Sequence, residues 1–316
     1  MSIRSFDQLE KIVHRLKPMR IVVVSSEDEE VLIGIKLALS KGIVIQPILV
    51  GNSRQIGKIL SSLNENLKDY QIVHSQSHEE SARIAIKMIK SGEAHILAKG
   101  KIKTSDFLKA ILDKEQGIKA SGLLSNLTLF EMSSYHKFIG ITDMAIIPLP
   151  GLEEKVEIIN NSYILWQALG IESPKVAVLA AVEVVNPRMQ ATTDAACLSK
   201  MADRDQIHNF IIDGPLSYDV ALDIESARDK GVLHSKVAGD PDMLLVPNLE
   251  SGNILGKSLK IHGGAKSGAI VFGARVPVMI NSRSDSAERR FYSTLLARAI
   301  AENRNLCIDY SEKIES

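Results

Sequence analysis

Cysteine is nearly missing from this chain: Cys197 and Cys307 are the only two in 316 residues. Neither has a CxxC partner or a neighbouring cysteine, so a zinc site and disulfide-based stability both lack support, as in a reducing compartment. Net charge is absent as well. Lys plus Arg and Asp plus Glu both number 38, and a neutral chain presents no global field to nucleic acid or anionic lipid. Any anion site must therefore be local. No window approaches the roughly 18 consecutive apolar residues that suggest a membrane span. The N-terminus, MSIRSFDQLEKIVHRLKPMR, carries acids and no unbroken apolar core, unlike a signal peptide. A cytoplasmic protein with no nucleic-acid or membrane partner is expected. Three motifs are missing too: the GxxxxGK[ST] phosphate loop, the glycine-rich dinucleotide fingerprint (Gly263-Gly264 and Gly268 are isolated) and the GxSxG elbow. A nicotinamide cofactor and Ser/His/Asp catalysis therefore have no motif support.

What the chain does have is alternation. Short β-branched runs at Ile21–Val24, Ile45–Val50, His95–Ala98, Val176–Ala180, Phe210–Ile212, Met243–Val246 and Val276–Ile280 read as strands. Several lack polar alternation, as strands buried on both faces of a parallel sheet do. Amphipathic stretches lie between them. Ser77-His78-Glu79-Glu80 predicts a capping box opening a helix whose Ala82, Ala85 and Ile89 share a face. Val156, Ile159, Tyr163, Trp166 and Leu169 predict another, stopped by Gly170. A last helix is expected from about Ala287 to Glu302, packed on the first half. The pattern is that of a layered αβα protein with mostly parallel sheets. The Pro148-Leu149-Pro150-Gly151 stretch suggests a boundary, giving residues 1–147 plus 271–316 as one α/β domain and 148–270 as a second.

Four loops after predicted strands could carry chemistry. In the first, Lys99-Gly100-Lys101-Ile102-Lys103-Thr104-Ser105-Asp106 places three lysines and two hydroxyls before a helix. Free amides and lysine charge there suit a phosphate, though a solvated turn capped by Thr104 or Ser105 has the same pattern. The second, Asp213-Gly214-Pro215, reads as a βα turn, in which Asp213 could orient a neighbour on a cleft wall. The third runs from Pro247 to Lys257. Ser251 or Asn253 could cap its helix, Gly252 could admit a ligand to the backbone, and Lys257 lies one turn beyond Asn253. The fourth, Asn281-Ser282-Arg283-Ser284-Asp285, sets an arginine beside hydroxyls at a strand end. That geometry fits a pair of phosphoryl oxygens, or an Arg–Asp pair capping the last helix. His262 is a weaker acid–base candidate.

At these loops the chain resembles the phosphate acetyl/butyryltransferase family. The segments AKGKIKTSDFLKAIL, KVEIINNSYILWQALGIESPKVAVLAAVEVVNPRMQAT, DGPLSYDVALD, VAGDPDMLLVPNLESGNILGKSL and PVMINSRSDSAE carry the likeness, closer to the butyryl than the acetyl branch. The resemblance implies a two-domain fold like that of isocitrate/isopropylmalate dehydrogenases, without their metal and nicotinamide sites. Its active-site cleft would lie between the domains. It implies acyl transfer between coenzyme A and inorganic phosphate, with acyl-CoA and acyl phosphate as partners, coenzyme A as substrate, no tightly bound cofactor and no metal. A homodimer or higher homo-oligomer is implied too. Ser282, Arg283 and Asp285 then become catalytic candidates. Lys99, Lys103, Thr104, Asp213, Gly214, Asn253 and Lys257 become binders of phosphate or coenzyme A. Two departures stand out. Arg289 occupies the position of the acetyl branch's proposed basic aspartate, leaving Asp285 and Glu288 as the nearest acids. Gly256 stands where the family commonly has a tyrosine. Two alternatives stay open: a β-decarboxylating or 4-phosphohydroxythreonine-type dehydrogenase, although Asp143, Asp213, Asp240 and Asp242 make no recognisable ligand set; and a non-catalytic sensor of acyl-CoA or phosphate.

Overall fold

The computed structural model describes residues 2–120 and 122–314, the last eleven of these by backbone alone, so the Cys307 side chain lies outside the described residues. The chain opens with α1 (Phe6–Val13), β1 (Ile21–Val24), α2 (Glu29–Ser40), β2 (Ile48–Gly51), α3 (Ser53–Ser62), β3 (Gln71–His74), α4 (His78–Lys90), β4 (Ile96–Lys99) and α5 (Thr104–Ile111). Next come β5 (Ser125–Glu131), β6 (Ile139–Thr142), α6 (Leu152–Ala168), β7 (Lys175–Leu179), α7 (Gln190–Asp203), β8 (Ile211–Leu216), α8 (Tyr218–Leu222), α9 (Ile224–Asp229), β9 (Met243–Leu245) and α10 (Leu249–Ile261). It closes with β10 (Lys266–Phe272), β11 (Val278–Met279) and α11 (Ala287–Ile314). The α/β class with mostly parallel strands is the expected one.

Two compact units form: Phe6–Gly122 with Gly268–Ser316, and Met1–Ser5 with Leu123–Ser267. In the first unit the strands run in the order β3-β2-β1-β4-β11-β10. All neighbours are parallel except β10 against β11. Every residue of β1, β2 and β4 is buried, which explains their unbroken apolar sequences. Strand β2 starts at Ile48 rather than Ile45, because Gln46 takes φ 40° and Pro47 follows it. A left-handed residue and a proline without an N–H interrupt the ladder there.

In the second unit the order is β5-β6-β9-β7-β8, with β5 antiparallel to β6 and the rest parallel. Phe130, Ile141, Leu216, Val220 and Leu244 are among its core residues. Residues 125–142 group with this unit because β6 pairs with both β5 and β9. The Pro148–Gly151 stretch is instead the entry to α6, whose N-cap Gly151 donates to Glu154 Oε2 at 2.8 Å. Helix α6 ends as expected, with Gly170 at φ 72°. The Ser77 cap forms too, although Glu80 reaches back to the amide of Gln76, at 2.7 Å, instead of to Ser77.

Candidate active site

Parallel pairing sets Lys99 opposite Val24, and Ala98 opposite Met279. The residues leaving β1, β4 and β11 are therefore neighbours at one carboxyl edge of the first unit's sheet. Gly100 makes this approach possible. Its amide donates to Val24 O at 2.9 Å, and Lys101 N to Ser25 O at 2.7 Å. A Cβ on Gly100 would stand 2.2 Å from Ser25 O, so no other residue fits.

Lys99 belongs to the strand rather than to the loop, and only 6% of it is exposed. Its Nζ donates to Gly100 O at 3.3 Å, a long bond. Burial pushes its amine below the ordinary lysine range; the guanidiniums of Arg283 and Arg290 push further, against the pull of Asp28. Beyond it, α5 begins at Thr104 with Lys103 as N-cap. Neither Thr104 nor Ser105 is the cap, and no side chain supplies a cap bond. The first amides of α5 are thus left to solvent or a ligand. Lys103 is exposed and Thr104 half-buried.

The loop after β11 is built around Asp285, which is 4% exposed. Its Oδ2 accepts from Ser282 N at 2.9 Å and from Asn281 Nδ2 at 3.4 Å. Ser282 Oγ lies 3.1 Å from Ser284 Oγ, and Ser282 and Arg283 are exposed. From α11, Arg290 Nη2 donates to Ser282 O at 3.0 Å. Arg290 is 7% exposed, and it reaches this place because Gly34 lets α11 lie close: a Cβ on Gly34 would meet Arg290 Cβ at 2.9 Å. Glu30 Oε2 accepts from Ala287 N at 2.9 Å across the same contact. Glu288 is occupied as well, its Oε1 accepting from Tyr292 Oη at 2.7 Å. Of the residues singled out from sequence, the structure brings Lys99, Ser282, Arg283 and Asp285 to one edge. Arg290 escaped notice because burial creates its role and no motif marks a buried arginine, and Asp28 because it acts on Lys99 from a remote part of the chain.

The second unit corrects three readings. Asp213 and Gly214 lie inside β8 rather than in a turn. Ala177 pairs with Asp213 and Leu179 with Leu216, so β8 carries one extra residue there, a β-bulge at Gly214-Pro215. Gly214 is required because a Cβ would meet Val178 O at 2.7 Å. Asp213 Oδ1 accepts from Gly214 N at 2.8 Å, and Asp213 lines a cavity of about 440 Å³ with His234 and Lys236. This is the edge strand, separated from β6 by β9 and β7. Helix α10 is capped by Asn248, whose Oδ1 accepts from Ser251 N at 2.9 Å, so neither Ser251 nor Asn253 is the cap. Asn253 Nδ2 instead holds Met144 O at 3.2 Å, and Lys257 is exposed one turn on. Gly252 serves packing: its Cβ would meet Val246 Cγ2 at 2.8 Å and Asp143 O at 3.0 Å. At Gly256 the space is filled by Met144, whose Cε lies 2.4 Å from where a Cβ would be. His262 merely ends α10 and is exposed.

The family described as phosphate acetyl/butaryl transferase matches residues 70–298. The chain belongs to the phosphate acetyl/butyryltransferase family. It is similar to a phosphate butyryltransferase of Clostridium acetobutylicum, 38% identical over 96% of this chain and 100% of that protein. A phosphate acetyltransferase of Thermotoga maritima is 37% identical over 93% of this chain and 99% of that protein. Among solved structures, a branched-chain phosphotransacylase from Enterococcus faecalis superposes with a TM-score of 0.78 at 32% identity, covering 89% of this chain and 99% of that one.

Proposed function

We propose that this protein transfers a short acyl group reversibly between coenzyme A and inorganic phosphate, accepting butyryl or a similar chain. The observation that carries the reading is that Lys99, buried at the end of β4, and the Ser282–Arg283 loop after β11 leave neighbouring parallel strands at one edge of the sheet. Arg283 and Lys99 take the phosphate or phosphoryl oxygens, assisted by the uncapped amides of Thr104 and Ser105 and by Lys103. Arg283 also faces the oxyanion that forms at the acyl carbonyl, and Ser282 supplies a hydroxyl beside it. Asp285 acts through Ser282, by holding its amide.

Transfer is direct, in a ternary complex: the thiolate attacks the acyl phosphate and phosphate leaves, or phosphate attacks the thioester in reverse. Holding both partners together supplies much of the acceleration. Coenzyme A is a substrate here and no bound cofactor is needed. In the second unit we assign Lys257 and Asn253 to substrate binding, with Asp213 and Gly214 shaping a wall. We assign the protein to the cytoplasm as a homo-oligomer, as the resemblance implies. A thiol-release assay with phosphate and acetyl-, propionyl-, butyryl- or isobutyryl-CoA tests the reading. Phosphate-dependent release is expected from at least one of them; release from none would sink it.

A further inference from the structure

The reaction needs an acceptor for the thiol proton, and the two acids that follow Ser282–Arg283 most closely in the chain are already committed. Asp285 is buried and holds the Ser282 amide at 2.9 Å. Glu288 Oε1 accepts a hydrogen bond from Tyr292 Oη at 2.7 Å. Position 289, where an acid would serve, is an arginine. What the edge offers instead is an amine. Lys99 is buried, makes no ion pair among the described residues, and spends its one hydrogen bond on the carbonyl of its own neighbour Gly100.

The charged groups acting on Lys99 come from three directions. Arg283 acts from the loop after β11 and Arg290 from α11, and both oppose a second positive charge; only Asp28, ahead of α2, favours one. Asp28 is itself engaged, its Oδ1 accepting from Val31 N at 3.1 Å as the N-cap of α2. From the β1 end the neighbours are the uncharged Ser25 and Ser26, and His78 at the start of α4 turns its Nδ1 to Ser25 Oγ at 2.8 Å. An amine in this setting exchanges a proton readily, because desolvation and like charge both disfavour its ammonium.

We propose that Lys99 is the general base for coenzyme A, a role that rests on the acyl-transfer reading above. In the direction of thioester synthesis, the S–H bond breaks and its proton forms an N–H bond on neutral Nζ. The sulfur electron pair forms the C–S bond at the acyl carbonyl. The C–O bond to phosphorus then breaks, and its electron pair leaves with phosphate. The new ammonium at Lys99 faces that growing negative charge and passes the proton to the departing phosphate, restoring the amine. In reverse, phosphate gives up its proton to Lys99 as it attacks, and the ammonium protonates the leaving thiolate. One side chain thus carries the proton between the two substrates, and its charge is greatest when phosphate is leaving.

The test compares wild type, Lys99→Arg and Lys99→Ala in thioester formation from butyryl phosphate and coenzyme A, from about pH 6 to about pH 9. Arginine matches the charged form that Lys99 reaches during the reaction but cannot accept a proton. Lys99→Arg should hold the KM for butyryl phosphate within about threefold while kcat falls on the order of a hundredfold at neutral pH. Its remaining rate should climb with pH as free thiolate accumulates. Lys99→Ala should regain turnover on addition of ethylamine, in proportion to the unprotonated amine. If Lys99→Arg keeps the wild-type kcat and pH profile, or if Lys99→Ala gains nothing from ethylamine, the proton-carrying role is overturned while acyl transfer stands. A wild-type protein that forms no thioester overturns both.

Discussion

Arg290 holds the carbonyl of Ser282 at 3.0 Å from the first turn of α11, so the loop that carries Arg283 is clamped from behind by a second, buried arginine. The clamp and the Asp285 carboxylate grip the same residue, one at its C=O and one at its N–H. Arg290→Met should therefore loosen the loop. A small displacement of a positioned charge can cost on the order of a hundredfold in rate. We expect kcat to fall about tenfold to a hundredfold with the KM for coenzyme A little changed; Arg290→Lys should recover part of the loss. Equal losses in both variants, matched only by a lower Tm, would reduce the arginine to a packing role.

Arg283 is exposed, so its removal should leave the fold alone. Arg283→Ala should keep the wild-type Tm and lose about 3 kcal/mol of transition-state stabilisation, a hundredfold or more in kcat. Turnover close to wild type would reject its place at the oxyanion.

Gly100→Ala tests the strand edge itself. The new Cβ would stand 2.2 Å from Ser25 O and 2.6 Å from Val24 O, both backbone atoms that cannot swing aside. A destabilisation above about 2 kcal/mol is expected in chemical denaturation, with activity lost in step. An unshifted denaturation midpoint would contradict the close packing of β1 against the Gly100 turn.

Lys155 and Asp194 form a buried ion pair at 2.5 Å between α6 and α7, and Gln190 Nε2 donates to the second carboxylate oxygen at 2.6 Å. Removing one partner strands the other charge, so Lys155→Ala should cost about 3–5 kcal/mol. The double change Lys155→Met with Asp194→Leu should be close to neutral, since the desolvation cost disappears with the pair. Denaturant midpoints of the three variants decide it.

Asp219 accepts from Ser217 Oγ at 2.5 Å and lies 2.9 Å from Lys230 Nζ. The serine hydroxyl first, and then the lysine, lower its pKa from the ordinary carboxylate value to about 2. Because the folded value lies below the unfolded one, its contribution to stability is complete above pH 3.8 and is lost as pH falls toward about 2. An NMR titration should place the carboxyl midpoint near 2, and Ser217→Ala should move it upward. The contribution is small because the group is exposed to solvent.

Much of this molecule could be read from its residues in order. Unbroken Val/Ile runs such as Ile21–Val24 specify doubly covered strands, because only strands buried on both faces carry no polar alternation. Ser77 announced a helix start, since a hydroxyl before two glutamates satisfies orphan amides locally. The strands β5 and β6 escaped because an antiparallel pair is specified by its partners, and SNLTLFE read alone has no clear period. Asp213-Gly214-Pro215 misled for a related reason: a bulge inside a strand uses the residues of a turn.

The sequence by itself determined the α/β class, the cationic loops at Lys99 and Arg283, and the family, because these depend on which residues follow one another. Only the tertiary structure decided what each charge does. Lys99 became a buried amine whose charged form two guanidiniums oppose, Asp285 a clamp on Ser282 and Asn253 a bond to Met144, because pKa and hydrogen-bond partners are set by burial and by neighbours remote in the chain.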